Sequence, residues 1–223
     1  MCAVTSPARP ADLAAALPRL PLFPLPQTMI FPGALLPLHV FEPRYKAMVH
    51  DVLASHRLLS VVLITDTSAL DAHSHPAIAS VAGVGEIIEH AELPGGRYNI
   101  LLQGRARVRL KELPFTPPYR TAAATLLEEV PADVPASAHA ALLSTASAFA
   151  KLIRDRDRSF DFDVPAGSSS GLAADLCAQH LVMDPRERQE LLETLDVAAR
   201  VRRVTETLAL QRHALSAVGH SLN

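Results

Sequence analysis

Prolines are interleaved with apolar residues along residues 20–45, LPLFPLPQTMIFPGALLPLHVFEPRY, which we call the proline-rich segment. A disordered proline-rich linker would carry polar residues between its prolines, because it has no core to bury. Proline is tolerated in sheets at strand edges, at bulges and at first positions. The segment therefore predicts short, interrupted strands at the margin of a sheet, with a turn at Pro32 and Gly33 and a strand at Leu35–Phe41.

Strand patterns continue as far as about residue 129. The sequence LPGG at residues 93–96 suits a hairpin turn because glycine adopts positive φ without strain. Gly104 lies inside a strand pattern and indicates a bulge. Four further runs have the alternation or the apolar, β-branched composition of strands: Leu58–Ile64, Val81–Glu89, Tyr98–Leu113 and Tyr119–Leu127.

The hydrophobic period changes to that of helices in two places. Pro43 suits a first helical turn, and the apolar residues from Tyr45 to His56 then follow one helical face. After Pro131 and Pro135 the pattern predicts four helices, with Asp184 and Asp196 as N-caps of the last two. Strands followed by helices, rather than alternating with them, predict an α+β fold. We expect a flexible tail at 1–17, a β-rich subdomain at 18–130 and a helical subdomain at 131–223.

Composition and charge make some classes of partner and cellular location less expected for this protein. The 223 residues carry a net charge of −2 and 49% of them are hydrophobic, which is typical of a globular protein. A protein that binds nucleic acid through phosphates usually has a basic excess, so nucleic acid is not the expected partner. Cys2 and Cys177 lie at opposite ends of the sequence and do not form the pattern of a disulfide framework. The apolar run Leu13–Leu17 is too short for a signal peptide or a membrane span. We therefore expect a cytoplasmic protein that does not bind membranes.

Several motifs, in order along roughly residues 20–210, resemble the N-terminal domain of the Lon ATP-dependent proteases. The proline-rich segment is similar to the opening of that domain. The other matches are VGEII at 84–88, LPGG at 93–96, QGRARVRL at 103–110, LAADLCAQHL at 172–181 and QELLETLDV at 189–197. The resemblance implies a PUA-like β pseudo-barrel followed by a C-terminal helical bundle, and a role in recognising polypeptides.

Lon proteases continue into an ATPase with a GxxxxGK[ST] phosphate-binding loop and into a protease with a serine–lysine pair. None of the nine glycines of this sequence opens such a loop. The resemblance therefore implies a stand-alone relative without catalysis and without a cofactor. Such a protein is expected to recognise unfolded polypeptide segments or a protein partner, in association with a protease or a chaperone.

The proline-rich segment holds more large apolar residues than a short edge strand normally buries. Those left exposed would form an apolar groove beside a strand edge, where an extended chain can add as a further strand. The candidate peptide-binding residues are Met29, Phe31, Leu38, His39, Phe41, Arg44 and Tyr45. The alternative interpretation is that the apolar members of this set fill the barrel.

Alternating arginines at Arg105, Arg107 and Arg109 support a second hypothesis. On a strand they would lie on one face, and the protein would then be an RNA-binding PUA-like module. The chain has no Trp and 4% aromatic residues, which leaves few platforms for base stacking. We expect a solvated strand face instead, with the arginines paired to Glu112, Glu128 or Glu129.

One further motif and two residue pairs have both a catalytic or metal-binding interpretation and a structural one. Residues 167–171, GSSSG, match the G-x-S-x-G nucleophile elbow of hydrolases, but no buried strand precedes them. We expect a loop in which Ser170 or a neighbour caps the next helix, and no catalytic serine at Ser169. The pairs His73 with His75 in a polar loop, and Cys177 with His180, are too few to predict a zinc site.

Overall fold

The computed structural model describes the backbone of residues 11–220, with side chains from 13 to 215, and it contains two compact units. One unit extends to Leu127 and the other begins at Glu128, close to the predicted boundary after residue 130. The first ten residues of the predicted tail, which include Cys2, lie outside the described residues. The prediction of a tail is wrong for Ala11–Ala16, which form a helix whose last residue is buried beside Leu20.

The first unit combines two helices, a 3-10 turn and seven strands in its described part. Helix α1 (Ala11–Ala16) leads through the 3-10 turn Leu17–Arg19 into the sheet, and α2 (Pro43–Leu53) follows the second strand. The strands are β1 Leu20–Leu25, β2 Leu35–Val40, β3 Leu58–Leu70, β4 Pro76–Ile78, β5 Val81–Leu93, β6 Arg97–Glu112 and β7 Thr121–Leu127.

Five of these strands close into a ring. The order β1-β7-β6-β5-β3 is antiparallel throughout, and β3 then pairs with β1 in parallel, from Leu22 opposite Ser60 to Leu25 opposite Leu63. β4 pairs with β3, and β2 pairs with β6. Because the ring is closed, β2 and β4 are the candidate edge strands among the described residues of this unit.

The stretch between β1 and β2 lies directly against the barrel. Met29, Ile30 and Phe31 are completely buried. A Cβ at Gly83 on β5 would overlap the carbonyl oxygen of Ile30, and one at Gly104 on β6 would overlap that of Phe31. The missing side chains of these two glycines therefore allow the backbone of the proline-rich segment to approach the sheet.

Helix α2 covers the same part of the barrel. Its first residue is Pro43, and its buried residues are the predicted stripe of Tyr45, Met48, Val49 and Val52. The ring of Tyr45 lies 4.4 Å from that of Phe23, between centroids, inside a cluster that includes residues of β3, β5 and β6. Residues after β2 are therefore fixed by a helix that belongs to the core.

The second unit has four helices in the described residues, as the hydrophobic pattern predicts: α3 Ala136–Arg156, α4 Ser170–Leu181, α5 Pro185–Glu193 and α6 Val197–His220. The predicted caps are confirmed, since the carboxylate of Asp184 accepts from the Arg186 amide at 2.8 Å and that of Asp196 from the Ala199 amide at 2.7 Å. The core is built from apolar side chains of all four of these helices, including Leu191 and Leu192 of α5.

Two parts of the β-rich unit differ from the sequence prediction. The polar loop predicted around His73 and His75 is short, because β3 continues to Leu70 and pairs with β4, which begins at Pro76. The bulge predicted near Gly104 is present, since Val84 pairs with Ala106 whereas Gly85 pairs with Gly104. Arg105 is the extra residue of this bulge, and its insertion changes which side chains of β6 share a face.

Candidate functional site

Strand β2 has one edge without a strand partner. Among the described residues it pairs only with β6, from Leu35 opposite Gln103 to Val40 opposite Tyr98. Pro37 lies in the middle of β2 and has no N–H to donate, which is tolerated where a strand edge is open. The open edge therefore presents backbone groups to which an extended chain can add.

The side chains of β2 alternate between an exposed face and a half-buried face. Leu36 and Leu38 are half-buried against the core cluster that contains α2. The opposite face carries Leu35, Pro37, His39 and, just beyond the strand, Phe41, all exposed. We call these four residues the β2 strip. A strand added at the open edge would lie beside apolar groups on both of its faces.

The β2 strip exposes two large apolar side chains. Leu35 is 44% exposed and Phe41 is 61% exposed. The ring of His39 stacks on that of Phe41 with centroids 6.1 Å apart, and its Nδ1 lies 2.7 Å from Oδ1 of Asn99 on β6. The hydrogen bond to Asn99 fixes the His39 ring, so Phe41 is supported from one side and remains open to solvent on the other.

Charged groups next to the β2 strip neutralise each other. Arg44 Nη2 lies 2.8 Å from a carboxylate oxygen of Glu42, and its guanidinium stands 4.5 Å from the ring centre of Tyr45. Burial raises the pKa of Tyr45, so its hydroxyl stays protonated at neutral pH. The border of the site therefore includes a half-exposed ion pair whose two charges offset each other.

The structure separates the predicted peptide-binding residues into two groups. Met29 and Phe31 are completely buried and Tyr45 is nearly so, which removes them from any surface groove. The physical reason is the close approach of this backbone to the barrel at the glycines of β5 and β6. Four predicted residues remain accessible, with Leu38 half-buried and the other three exposed: Leu38, His39, Phe41 and Arg44. Leu35 and Pro37 were missed, although they share the strand alternation of His39.

The prediction that the arginines of β6 form one solvated face is wrong. Arg107 is buried and its guanidinium lies 5.8 Å from the ring centre of Phe31. Arg105, at the bulge, donates from Nε to the buried carboxylate of Glu86 at 2.6 Å. Glu112 pairs instead with Arg120, at 2.7 Å. The bulge breaks the alternation that would place three arginines on one solvated face.

The G-x-S-x-G motif forms a helix cap, as expected. Ser169 is the N-cap of α4 and its Oγ accepts from the Leu172 amide at 3.2 Å. The residues before it form a loop and not a buried strand. The motif therefore lacks the strand-to-helix turn that exposes a hydrolase nucleophile.

The two histidine-containing pairs have packing roles. The rings of His73 and His75 lie 4.9 and 4.4 Å from that of Phe115, and His75 Nδ1 lies 3.3 Å from an Asp71 carboxylate oxygen. Burial raises the pKa of the Cys177 thiol to about 12. Within the described residues, no group of three or more His, Cys, Asp or Glu side chains could hold a metal ion. Nor does that part of the chain contain a helix long and apolar enough to span a membrane.

Comparison with known families decides what kind of domain this is. The model of the ATP-dependent protease La (Lon) substrate-binding domain matches residues 19–209. The chain belongs to this family. The open edge of β2 and the barrel that carries it are thus features of a Lon substrate-binding domain, and the predicted family is confirmed.

Bacterial Lon proteases match most of this chain with about a quarter of their own length. The Lon protease of Roseiflexus castenholzii is 30% identical over 203 residues, which cover 88% of this chain and 25% of that protein. Lon protease 2 of Bdellovibrio bacteriovorus is 30% identical over 196 residues, with 86% and 24% covered. The chain spans about a quarter of the length of these curated relatives.

Solved structures of Lon N-terminal domains share the fold. A Lon N-terminal domain protein from Xanthomonas campestris has a TM-score of 0.61 at 21% identity, covering 83% of this chain and 96% of that one. The N-terminal domain of the Mycobacterium avium complex Lon protease has a TM-score of 0.58 at 16% identity, covering 86% and 98%. The predicted α+β fold, a β pseudo-barrel followed by helices, is confirmed.

Proposed function

We propose that this Lon substrate-binding domain recognises extended apolar segments of unfolded polypeptides, or of a protein partner, by strand addition at the open edge of β2, and that it does so without catalysis. The name of the family supports recognition of protein substrates. The observation that carries the location is the combination of an open strand edge with exposed apolar side chains at Leu35 and Phe41.

Strand addition would use both the backbone and the side chains of β2. Backbone groups at the edge bind any extended chain, so they contribute affinity without sequence preference. Side chains of the added strand would alternate between Leu36 and Leu38 on one face and the β2 strip on the other. The preferred segment is therefore extended, apolar at alternate positions and free of proline where its N–H groups must reach β2.

RNA binding receives no support from this arrangement. Arg105 and Arg107 are engaged with a carboxylate and with an aromatic ring. The border of the β2 strip is an internal ion pair of Arg44 with Glu42. A protein that neutralises phosphates loses affinity steeply with added salt, whereas apolar strand addition depends weakly on salt.

The test is the binding of a fluorescent peptide by the full chain, followed by anisotropy. The peptide matches the six residues of β2 in length, alternates valine with threonine, and is acetylated and amidated at its ends. A second peptide is N-methylated at alternate residues, which blocks the hydrogen bonds of one strand edge. We expect the methylated peptide to bind at least about tenfold more weakly, equivalent to about 1.4 kcal/mol.

The test variant carries Leu35→Ser and Phe41→Ser together. Its matched control is Leu70→Ser, which changes a leucine of β3 that is 56% exposed. The double variant should weaken binding at least about tenfold, and Leu70→Ser should leave it within about twofold. Equal binding by a folded double variant would place the site elsewhere. Equal binding of both peptides would exclude strand addition.

A further inference from the structure

A cavity of about 230 Å³ lies in the barrel unit, between the end of α2 and the loop that precedes β7. Its lining includes Arg19 from the 3-10 turn, Asp51 from the last turn of α2 and Tyr119 from the loop. No residue of the β2 strip contributes to it. The volume is below the range of about 300–1000 Å³ typical of drug-sized ligands, so a smaller group fits better.

One wall of the cavity is a carboxylate held in place. The Tyr119 hydroxyl donates to Oδ2 of Asp51 at 2.7 Å. The pKa of Tyr119 is raised to about 12, mainly by burial and also by the hydrogen bond with Asp51 and the negative charge of Asp51. This hydroxyl therefore remains a donor at neutral pH. The other carboxylate oxygen of Asp51, Oδ1, lies 3.3 Å from Nδ1 of the exposed His50, and the Asp51 side chain is half-exposed. A fixed carboxylate therefore faces a partly enclosed space.

The position of Asp51 in the helix adds to its negative potential. Asp51 lies in the last turn of α2, which ends at Leu53, and the C-terminal end of a helix carries a partial negative charge. Both contributions favour a cation at this place. Among the side chains that the structure describes, no acidic one other than Asp51 lines the cavity.

The opposite charge comes from Arg19. Its positive charge acts on Tyr119 in the direction opposite to that of Asp51. Arg19 is exposed, and within the described residues it has neither an ion pair nor a hydrogen bond. The space between the charges is walled by apolar groups of Pro21, Val52 and Pro117. The cavity thus presents an acceptor for a cation, a donor for an anion or carbonyl oxygen, and an apolar surface.

We propose that this cavity binds an α-ammonium group together with its neighbouring carboxylate or carbonyl group, as found in a free amino acid and at a polypeptide N-terminus. Asp51 accepts hydrogen bonds from the ammonium group, and Arg19 donates to the carboxylate or carbonyl oxygen. An aliphatic side chain of the ligand packs on the prolines. This site goes beyond the proposed function and does not depend on it.

The test is a titration of the isotope-labelled full chain, followed by amide resonances, with four probes. These are L-leucine, N-acetyl-leucine, a leucine-initiated tripeptide amide and its N-acetylated form. Probes with a free ammonium group should shift the resonances of residues 51–56 and 116–121 with saturation, and both acetylated probes should not. Binding of L-leucine alone identifies a free amino acid as ligand, whereas binding of the tripeptide amide identifies a chain terminus.

Variants decide whether the charges act as proposed. Asp51→Asn keeps an acceptor for Tyr119 and should weaken the binding probe at least about tenfold. Asp66→Asn, which changes an exposed aspartate of β3, is the matched control and should have no effect. No saturable shifts, equal shifts with acetylated probes, or unchanged affinity of folded Asp51→Asn would overturn the proposal. The acetylated peptide used for the β2 edge has no ammonium group, so failure here leaves that test unaffected.

Discussion

Two stretches of the proline-rich segment are both mainly apolar but lie in opposite environments. Residues 29–31 (MIF) are completely buried, whereas residues 35–41 (LLPLHVF) expose Leu35, His39 and Phe41. The difference comes from their neighbours and not from their own residue types. The first stretch crosses glycines on β5 and β6, and the second forms a strand with one open edge. The comparison shows that apolar residues near a sheet edge are buried where glycines let their backbone approach the sheet, and form a contact surface where they belong to a strand with an open edge.

The largest expected effect comes from filling the space under the first stretch. In Gly104→Ala the new Cβ would overlap the Phe31 carbonyl, so the backbone must move. We expect the free energy of unfolding to fall by at least about 5 kcal/mol, measured by chemical denaturation. Gly95→Ala is the control, because a Cβ there meets nothing and only its φ of +83° is unfavourable, at about 1 kcal/mol. Equal losses in the two variants would refute the close approach.

The next prediction compares the loss of one phenylalanine from each stretch. Phe31→Ala removes a completely buried ring and should lower the free energy of unfolding by about 3–5 kcal/mol. Phe41→Ala removes an exposed ring and should change it by no more than about 0.5 kcal/mol. Thermal and urea unfolding of both variants provide the measurement. A Phe41→Ala variant as unstable as Phe31→Ala would show that the two stretches are alike.

A smaller effect distinguishes the two faces of β2. Leu38 is half-buried against the core cluster, so Leu38→Ala should cost about 1 kcal/mol of stability. Leu35→Ala, on the exposed face, should cost less than about 0.5 kcal/mol. The two variants are compared by urea unfolding under identical conditions. If Leu35→Ala is the more destabilising of the two, the faces of β2 are assigned the wrong way round.

The smallest effect is a pH dependence at Tyr45. Burial is the main cause that raises its folded pKa above the unfolded value of about 10. Its contribution to stability is therefore complete below pH 10 and is lost as the pH rises through the folded pKa. Tyr45→Phe cannot ionise, so its stability should fall less steeply above pH 10 than that of the wild type. Parallel slopes of stability against pH for the two proteins would contradict the raised pKa.

Local signals in the sequence predicted much of the fold. The apolar stripe of α2, the turn at Gly95 and the cap at Asp184 each depend on residues close together in the chain. Helix α1 was missed because its alanine-rich sequence has no polar and apolar alternation, although Ala16 is buried. Such a helix depends on the barrel that it covers.

The candidate site was predicted only in part because its residues are sorted by distant contacts. Nothing near Phe31 in the sequence shows that Gly104 lies beneath its backbone. Arg107 is buried beside the ring of Phe31, and the arginine alternation does not show this contact because the two residues lie far apart in the sequence. The exposed residues of β2 could be predicted, since strand alternation from His39 also reaches Leu35 and Pro37.

The central claim, that β2 is the contact edge, is tested most directly by amide hydrogen exchange of the full chain with and without a permanently unfolded protein, such as reduced and alkylated lysozyme. Strand addition should slow the exchange of amides in residues 35–41 and leave α3–α6 unchanged, because a new strand would protect the open edge. Protection of the helices with unchanged exchange in β2 would contradict the account.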